Sequence, residues 1–309
     1  MRCPLALTGI SKLLKQLSQR LAIKPLGSKL ALASSALVLG GCSSLSALFF
    51  YPQSQLIATP QEAGLAYQDV WLTAADDTQL HAWWLPAQGE QPDSNVMLLY
   101  VHGNAENISS HSRSIYWLPK QGVSVLALDY RGFGASQGKA RLPAMLQDLA
   151  AAALWMKQQH PDKELMILGQ SIGTLMAINF AAQAAEQYAI QGLILDAPIL
   201  GIPSAARYAL GKNPVGLLIW PFTVLLPSQW DPKRHIQHIN LPVLMMHSPA
   251  DAVVSYQQAK KLYEYWQAAH PQQQLCWVDS QGPHIASFAF PELRQATLDF
   301  IHNKRCQAW

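Results

Sequence analysis

Acidic side chains are missing from the first 42 residues, where Arg2, Lys12, Lys15, Arg20, Lys24 and Lys29 supply six positive charges. The apolar runs Leu30 to Leu39 and Leu217 to Leu226 both fall short of the ~20 residues a comfortable membrane span needs. There is no internal repeat and no low-complexity linker. Cysteine is scarce, with four in 309 residues, and no Cys/His spacing resembles a zinc site, so no metal is expected. Beyond residue 42 only Cys276 and Cys306 remain. In an oxidising compartment they either join a late strand to the terminal helix or stay as two buried thiols, and both readings are open. A basic excess is also lacking where it would matter. The whole chain carries +3, but after residue 42 there are 16 basic residues against 19 acidic ones. No nucleic-acid footprint is therefore expected.

What is present at the start is a basic stretch, a short apolar run and small residues, the marks of an export signal. Leu39-Gly40-Gly41-Cys42 resembles the lipobox of bacterial lipoproteins. That resemblance implies lipidation of Cys42, a membrane anchor and a place in the bacterial cell envelope, with the domain in the periplasm or outside. Ser43 after the cysteine favours the outer membrane. An ordinary signal peptide or an uncleaved anchor are the alternatives. Ile10, Leu13, Leu14, Leu17 and Leu21 line one face of a helix, which fits a membrane-surface helix or a start codon set too early. Residues 1–42 are read as a signal and anchor segment, and 43–309 as one large domain.

In that domain Tyr67 to Thr73 and Gln79 to Leu85 read as an antiparallel hairpin around Asp76-Asp77. Continuous apolar runs follow: Val96 to Val101, Val123 to Leu128, Leu165 to Leu168, Leu193 to Leu195, Pro242 to Met246 and Leu275 to Val278. Such runs fit parallel strands covered on both faces. Helices are expected over 142–159, 172–187, 256–269 and 291–303. The class is α/β, a mostly parallel central sheet with helices on both faces. Residues 199–240 are more than one connecting helix requires. They read as a cap insertion, with a membrane-contacting face or plain packing as alternatives.

Chemistry concentrates at Gly169-Gln170-Ser171-Ile172-Gly173, between an apolar strand and a helix. A serine on a sharp strand-to-helix turn has its hydroxyl exposed, and the helix start offers N–H groups to a developing negative charge. The nucleophile needs a base and a group to orient that base. His284, in a loop after the last strand, is the expected base. His270, at a helix end, and His302, in the last helix, are expected to be solvated. Asp251, just past a strand end, is the expected acid, with Asp196 as its rival. Asp231, before Pro232, reads as a turn or helix-start residue. The backbone N–H of Ile172 and that of Asn104, or alternatively Ala105, would bind the oxyanion. His102 reads as a structural brace.

Together with Gly169-Gln170-Ser171-Ile172-Gly173, His102-Gly103-Asn104-Ala105 and the stretch from Asp129 to Gly138 resemble one branch of the α/β-hydrolase serine hydrolases. The branch includes membrane-associated palmitoyl-protein thioesterases and bacterial esterase-like proteins. The resemblance implies the α/β-hydrolase fold, a Ser171–His284–Asp251 triad and hydrolysis of acyl-chain esters or thioesters without a cofactor. A serine peptidase and a non-catalytic envelope-binding lipoprotein are the alternatives. Two departures stand out: Ser248 and Pro283 occupy positions where relatives usually have glycine beside the acid-loop and base-loop histidines. The stretch from Asp129 to Gly138 lacks the lysine of a phosphate-binding loop and is expected to brace the sheet edge.

Overall fold

Eight strands form one sheet in the computed structural model, which describes residues 47–212 and 214–306. They are β1 (Gln68–Thr73), β2 (Gln79–Leu85), β3 (Val96–Val101), β4 (Ser124–Leu128), β5 (Glu164–Gln170), β6 (Ile190–Asp196), β7 (Val243–His247) and β8 (Leu275–Asp279). Their spatial order is β8-β7-β6-β5-β3-β4-β2-β1. Strand β2 is antiparallel to β1 and β4, and every other pairing is parallel. The chain therefore reverses its direction of winding at β3, beside β5. At such a switch point the loops beyond the carboxyl ends of the strands diverge and leave room for a ligand.

The continuous apolar runs have a simple physical cause. In β3, Met97, Leu99 and Val101 join one buried cluster, while Val96, Leu98 and Tyr100 join another. Alternate residues face opposite sides of a strand, so a strand covered on both sides is apolar throughout. The first cluster is completed by α1 (Ala144–Gln159), α2 (Ile172–Ala184) and α5 (Tyr256–Ala269). The second is closed by α6 (Pro291–Asn303) and by one-turn helices at Ile108–His111 and Trp117–Lys120. Each fully buried Leu or Phe in these layers contributes about 1.5–3 kcal/mol.

Between β6 and β7 lie α3 (Ile202–Leu210), α4 (Pro214–Ile219) and short 3-10 turns at Trp220–Leu225, Pro232–Arg234 and Ile236–His238. Ahead of the sheet, Tyr51–Pro52 pairs in parallel with Ala105–Glu106. Cys276 in β8 is disulfide-bonded to Cys306, just past α6, with 5.3 Å between their α-carbons. Of the two readings left open for these cysteines, the structure has the bridge. Cys42 and the expected signal segment lie outside the described residues.

Candidate active site

Ser171 stands between β5 and α2 with φ 55° and ψ −122°, a strained conformation for a residue with a side chain. Several bonds hold it there. Its N–H donates to the Asp196 carbonyl at 2.9 Å, and its own carbonyl accepts from Thr174 N–H and Oγ1–H at 3.0 and 2.6 Å. The flanking glycines are needed for space. A Cβ on Gly173 would lie 2.1 Å from the Val101 carbonyl oxygen, and one on Gly169 would lie 2.8 Å from that of Gly173. Helix α2 thus starts directly against the carboxyl end of β3.

Asp251 lies in the loop after β7. Its Oδ1 accepts the N–H groups of Val253 and Val254 at 2.7 and 2.9 Å, which leaves Oδ2 for His284 Nδ1 at 2.7 Å. Burial opposes ionisation of this carboxyl. Hydrogen bonds from His247, His284 and the Val254 amide outweigh it and hold the group well below the ordinary carboxylate range. The Oδ2 contact assigns the His284 proton to Nδ1. Nε2 is then free to accept from Ser171 Oγ–H at 2.9 Å.

The three residues named from the sequence therefore meet in one hydrogen-bonded row, Ser171 to His284 to Asp251. The rival acid does not join it. Asp196 is buried and accepts from Gln170 Nε2 at 2.8 Å and Ser287 Oγ at 2.6 Å. Burial pushes its carboxyl up, against those two bonds. His302 is exposed. His270 is not simply solvated: its Nε2–H donates to the Ile236 carbonyl at 2.8 Å, because that turn packs under the end of α5. Asp231 stands at the start of the 3-10 turn Pro232–Arg234, one of its two readings, and its half-buried carboxylate leaves no room for a Cβ on Gly201, just ahead of α3.

Ile172 is the first residue of α2, so its N–H has no partner within the helix. Asn104 follows β3, and its carbonyl accepts the Tyr51 N–H at 3.1 Å. The close fit of Gly173 to Val101 and His102 brings these two backbone segments together. His102 is fully buried, packs against Tyr130 and Phe133, and donates from Nδ1 to the Gly103 carbonyl at 2.8 Å. It braces the loop. Burial, with His102 beside it, pulls His111 down to about 4, and its Nε2–H supports the Ala105 carbonyl at 2.9 Å. In the stretch after β4, Asp129 accepts the Ile108 N–H at 2.8 Å, and Arg131 forks onto Asp148 and Asp76. This stretch ties loops together.

Two supports have no signature in the sequence. Ser248 Oγ–H donates to the Gly282 carbonyl at 2.6 Å, linking the acid loop to the histidine loop. The segment ahead of the sheet is bonded to the Asn104 loop through Tyr51 and through Gln53 N–H, which donates to the Glu106 carbonyl at 3.0 Å. Among the described residues, no group of three His, Cys, Asp or Glu side chains converges to hold a metal ion.

Residues 91–230 match the family described as serine aminopeptidase, S33. The chain is 32% identical over 270 residues to the YfhR protein of Salmonella typhimurium, covering 82% of this chain and 86% of that one. It is 26% identical over 277 residues to the lysophosphatidylserine lipase ABHD12 of Danio rerio, covering 78% and 72% of the two chains. The Pyrococcus furiosus esterase Pf2001 superposes with a TM-score of 0.68 at 22% identity, over 84% of this chain and 99% of that one. Doubly wound sheet, strand-to-helix serine turn and these relatives agree: the chain belongs to the α/β-hydrolase superfamily, alongside YfhR.

Proposed function

We propose that this hydrolase cleaves carboxylic esters or thioesters through an acyl-enzyme. The observation that carries the reading is the unbroken row Ser171–His284–Asp251, at 2.9 and 2.7 Å. Ser171 Oγ attacks the acyl carbon as its proton passes to His284 Nε2. Asp251 holds the imidazole in register and stabilises the imidazolium. The Ile172 and Asn104 amides take the oxyanion, and each such donor is worth about 2.7–4 kcal/mol. Collapse breaks the bond to the leaving alkoxide or thiolate, which takes the proton from His284. Water, deprotonated by His284, then attacks the acyl-serine and releases the carboxylic acid and the free Ser171 hydroxyl.

Acyl-chain substrates are favoured by the apolar cap and by the lipase named among the relatives. We place the chain in the bacterial cell envelope, anchored through a lipid on Cys42, a reading that rests on the sequence of residues 30–42. A second reading, cleavage of aminoacyl amides, is favoured by the description of the matching family.

The test is fluorophosphonate labelling of the full chain, with the adduct located by mass spectrometry. An adduct on Ser171 that disappears in His284→Ala supports the mechanism; a folded chain that takes no label overturns it. Acyl esters and thioesters compared with aminoacyl anilides then separate the two readings.

A further inference from the structure

We propose that the cap carries a face that docks on an anionic lipid bilayer. Val215, Leu217, Leu218, Phe222, Val224 and Leu225 are all more than half exposed, with Val224 the most open at 78%. They crowd into one short stretch of α4 and the 3-10 turn after it. Soluble proteins scatter exposed apolar side chains singly, and a continuous run of them marks an interaction surface.

Charge selects the occupant. Residues 199–240 contain Arg207, Lys212, Lys233 and Arg234, all exposed, and a single acid, the half-buried Asp231. The rest of the chain after residue 42 has 12 basic residues against 18 acidic ones. A cationic, apolar cap on an otherwise anionic body matches a surface with negative headgroups over hydrocarbon. Among the described residues no helix is long and apolar enough to cross a membrane, so the face lies on the bilayer rather than through it.

The segment leading into the face touches the loop of the candidate site. Lys212 Nζ donates to the Ala252 carbonyl, and the neighbouring Val253 is 57% exposed, two residues from Asp251. Docking would set the acid loop at the lipid surface. Docking itself does not depend on the hydrolase mechanism; its use in delivering an acyl chain rests on the reading above.

Hydrogen exchange of the full chain tests this, with mixed phosphatidylcholine–phosphatidylglycerol vesicles, with phosphatidylcholine vesicles and without lipid. The expected result is slowed exchange over 214–226 on the anionic vesicles, weaker on the neutral ones. The combined Leu218→Ser, Val224→Ser and Leu225→Ser variant should lose that protection while keeping its melting temperature and its rate on a water-soluble ester. Unchanged exchange at 214–226 in vesicle-bound chain overturns the proposal, as does failure to bind the vesicles. Protection that rises with protein concentration in the absence of lipid assigns the face to a second copy and overturns it as well. The exchange result stands whether or not Ser171 proves reactive, so the two proposals fail separately.

Discussion

Ser248 and Gly282 join the Asp251 loop to the His284 loop: the serine hydroxyl donates to the glycine carbonyl at 2.6 Å across a separation of 34 residues. The same Oγ accepts the Ala250 N–H at 3.1 Å. Ser248 thus braces the loop that Pro283 stiffens. Replacing Ser248 with Ala should cost about 1 kcal/mol of stability. It should also lower the rate of Ser171 labelling about tenfold, because small displacements of a base are expensive. Stopped-time labelling beside thermal melts checks both; a stability loss with an unchanged labelling rate would confine Ser248 to structure.

Asp251 and Asp196 are both buried carboxylates near strand ends, and they should separate cleanly. Asp251→Asn keeps the shape but disturbs the His284 tautomer, and turnover should fall by about a thousandfold to ten-thousandfold. Asp196→Asn touches only the bonds to Gln170 and Ser287, and should lower turnover by less than about tenfold. Steady-state rates on one soluble ester decide, and equal losses would return the acid's role to open question.

Asp231 should make stability depend on pH. Burial pushes its carboxyl up to about 6, against the pull of Lys233 and Arg234, while the unfolded value is about 3.9. The folded chain holds this proton more tightly. The stabilisation is therefore complete below about pH 4 and lost as pH rises through about 6. Asp231→Asn should remove that loss, on the order of 1 kcal/mol once solvent screening of this half-buried group is allowed for. Melting temperatures of the two proteins at pH 4, 5, 6 and 7 should diverge over that window; parallel curves would refute the assignment.

The Cys276–Cys306 bridge spans 30 residues. Closing a loop of that length restricts the unfolded chain by about 3–4 kcal/mol. The double variant Cys276→Ser, Cys306→Ser should lose stability of that order in denaturant titration. Adding reductant should then leave the double variant unchanged.

Much of this was legible in the residues because the fold repeats one rule. Strands covered on both sides must be apolar throughout, so Val96 to Val101 announces itself. Ser171, Asp251 and His284 each follow a strand at its carboxyl end, where chain order points to all three and the flanking glycines to Ser171. The remainder depends on contacts between distant segments. Nothing near Ser248 in sequence points to Gly282, and nothing near Tyr51 points to Asn104. His270 looked solvated because its partner, Ile236, belongs to a segment with no periodic pattern. A spacing of 30 residues between cysteines sets no distance between them, so the disulfide could not be chosen over free thiols.

The segment between residues 49 and 67 is more than a lead-in to the sheet. A chain trimmed to start at Gln68 would retain all eight strands but lose Phe50 from one buried layer and Leu65 from the other. It would lose Tyr51 and Gln53, and with them the bonds that steady the Asn104 loop. The segment ahead of the sheet is thus part of the core as well as the support of the Asn104 loop, so packing and loop position draw on the same few residues.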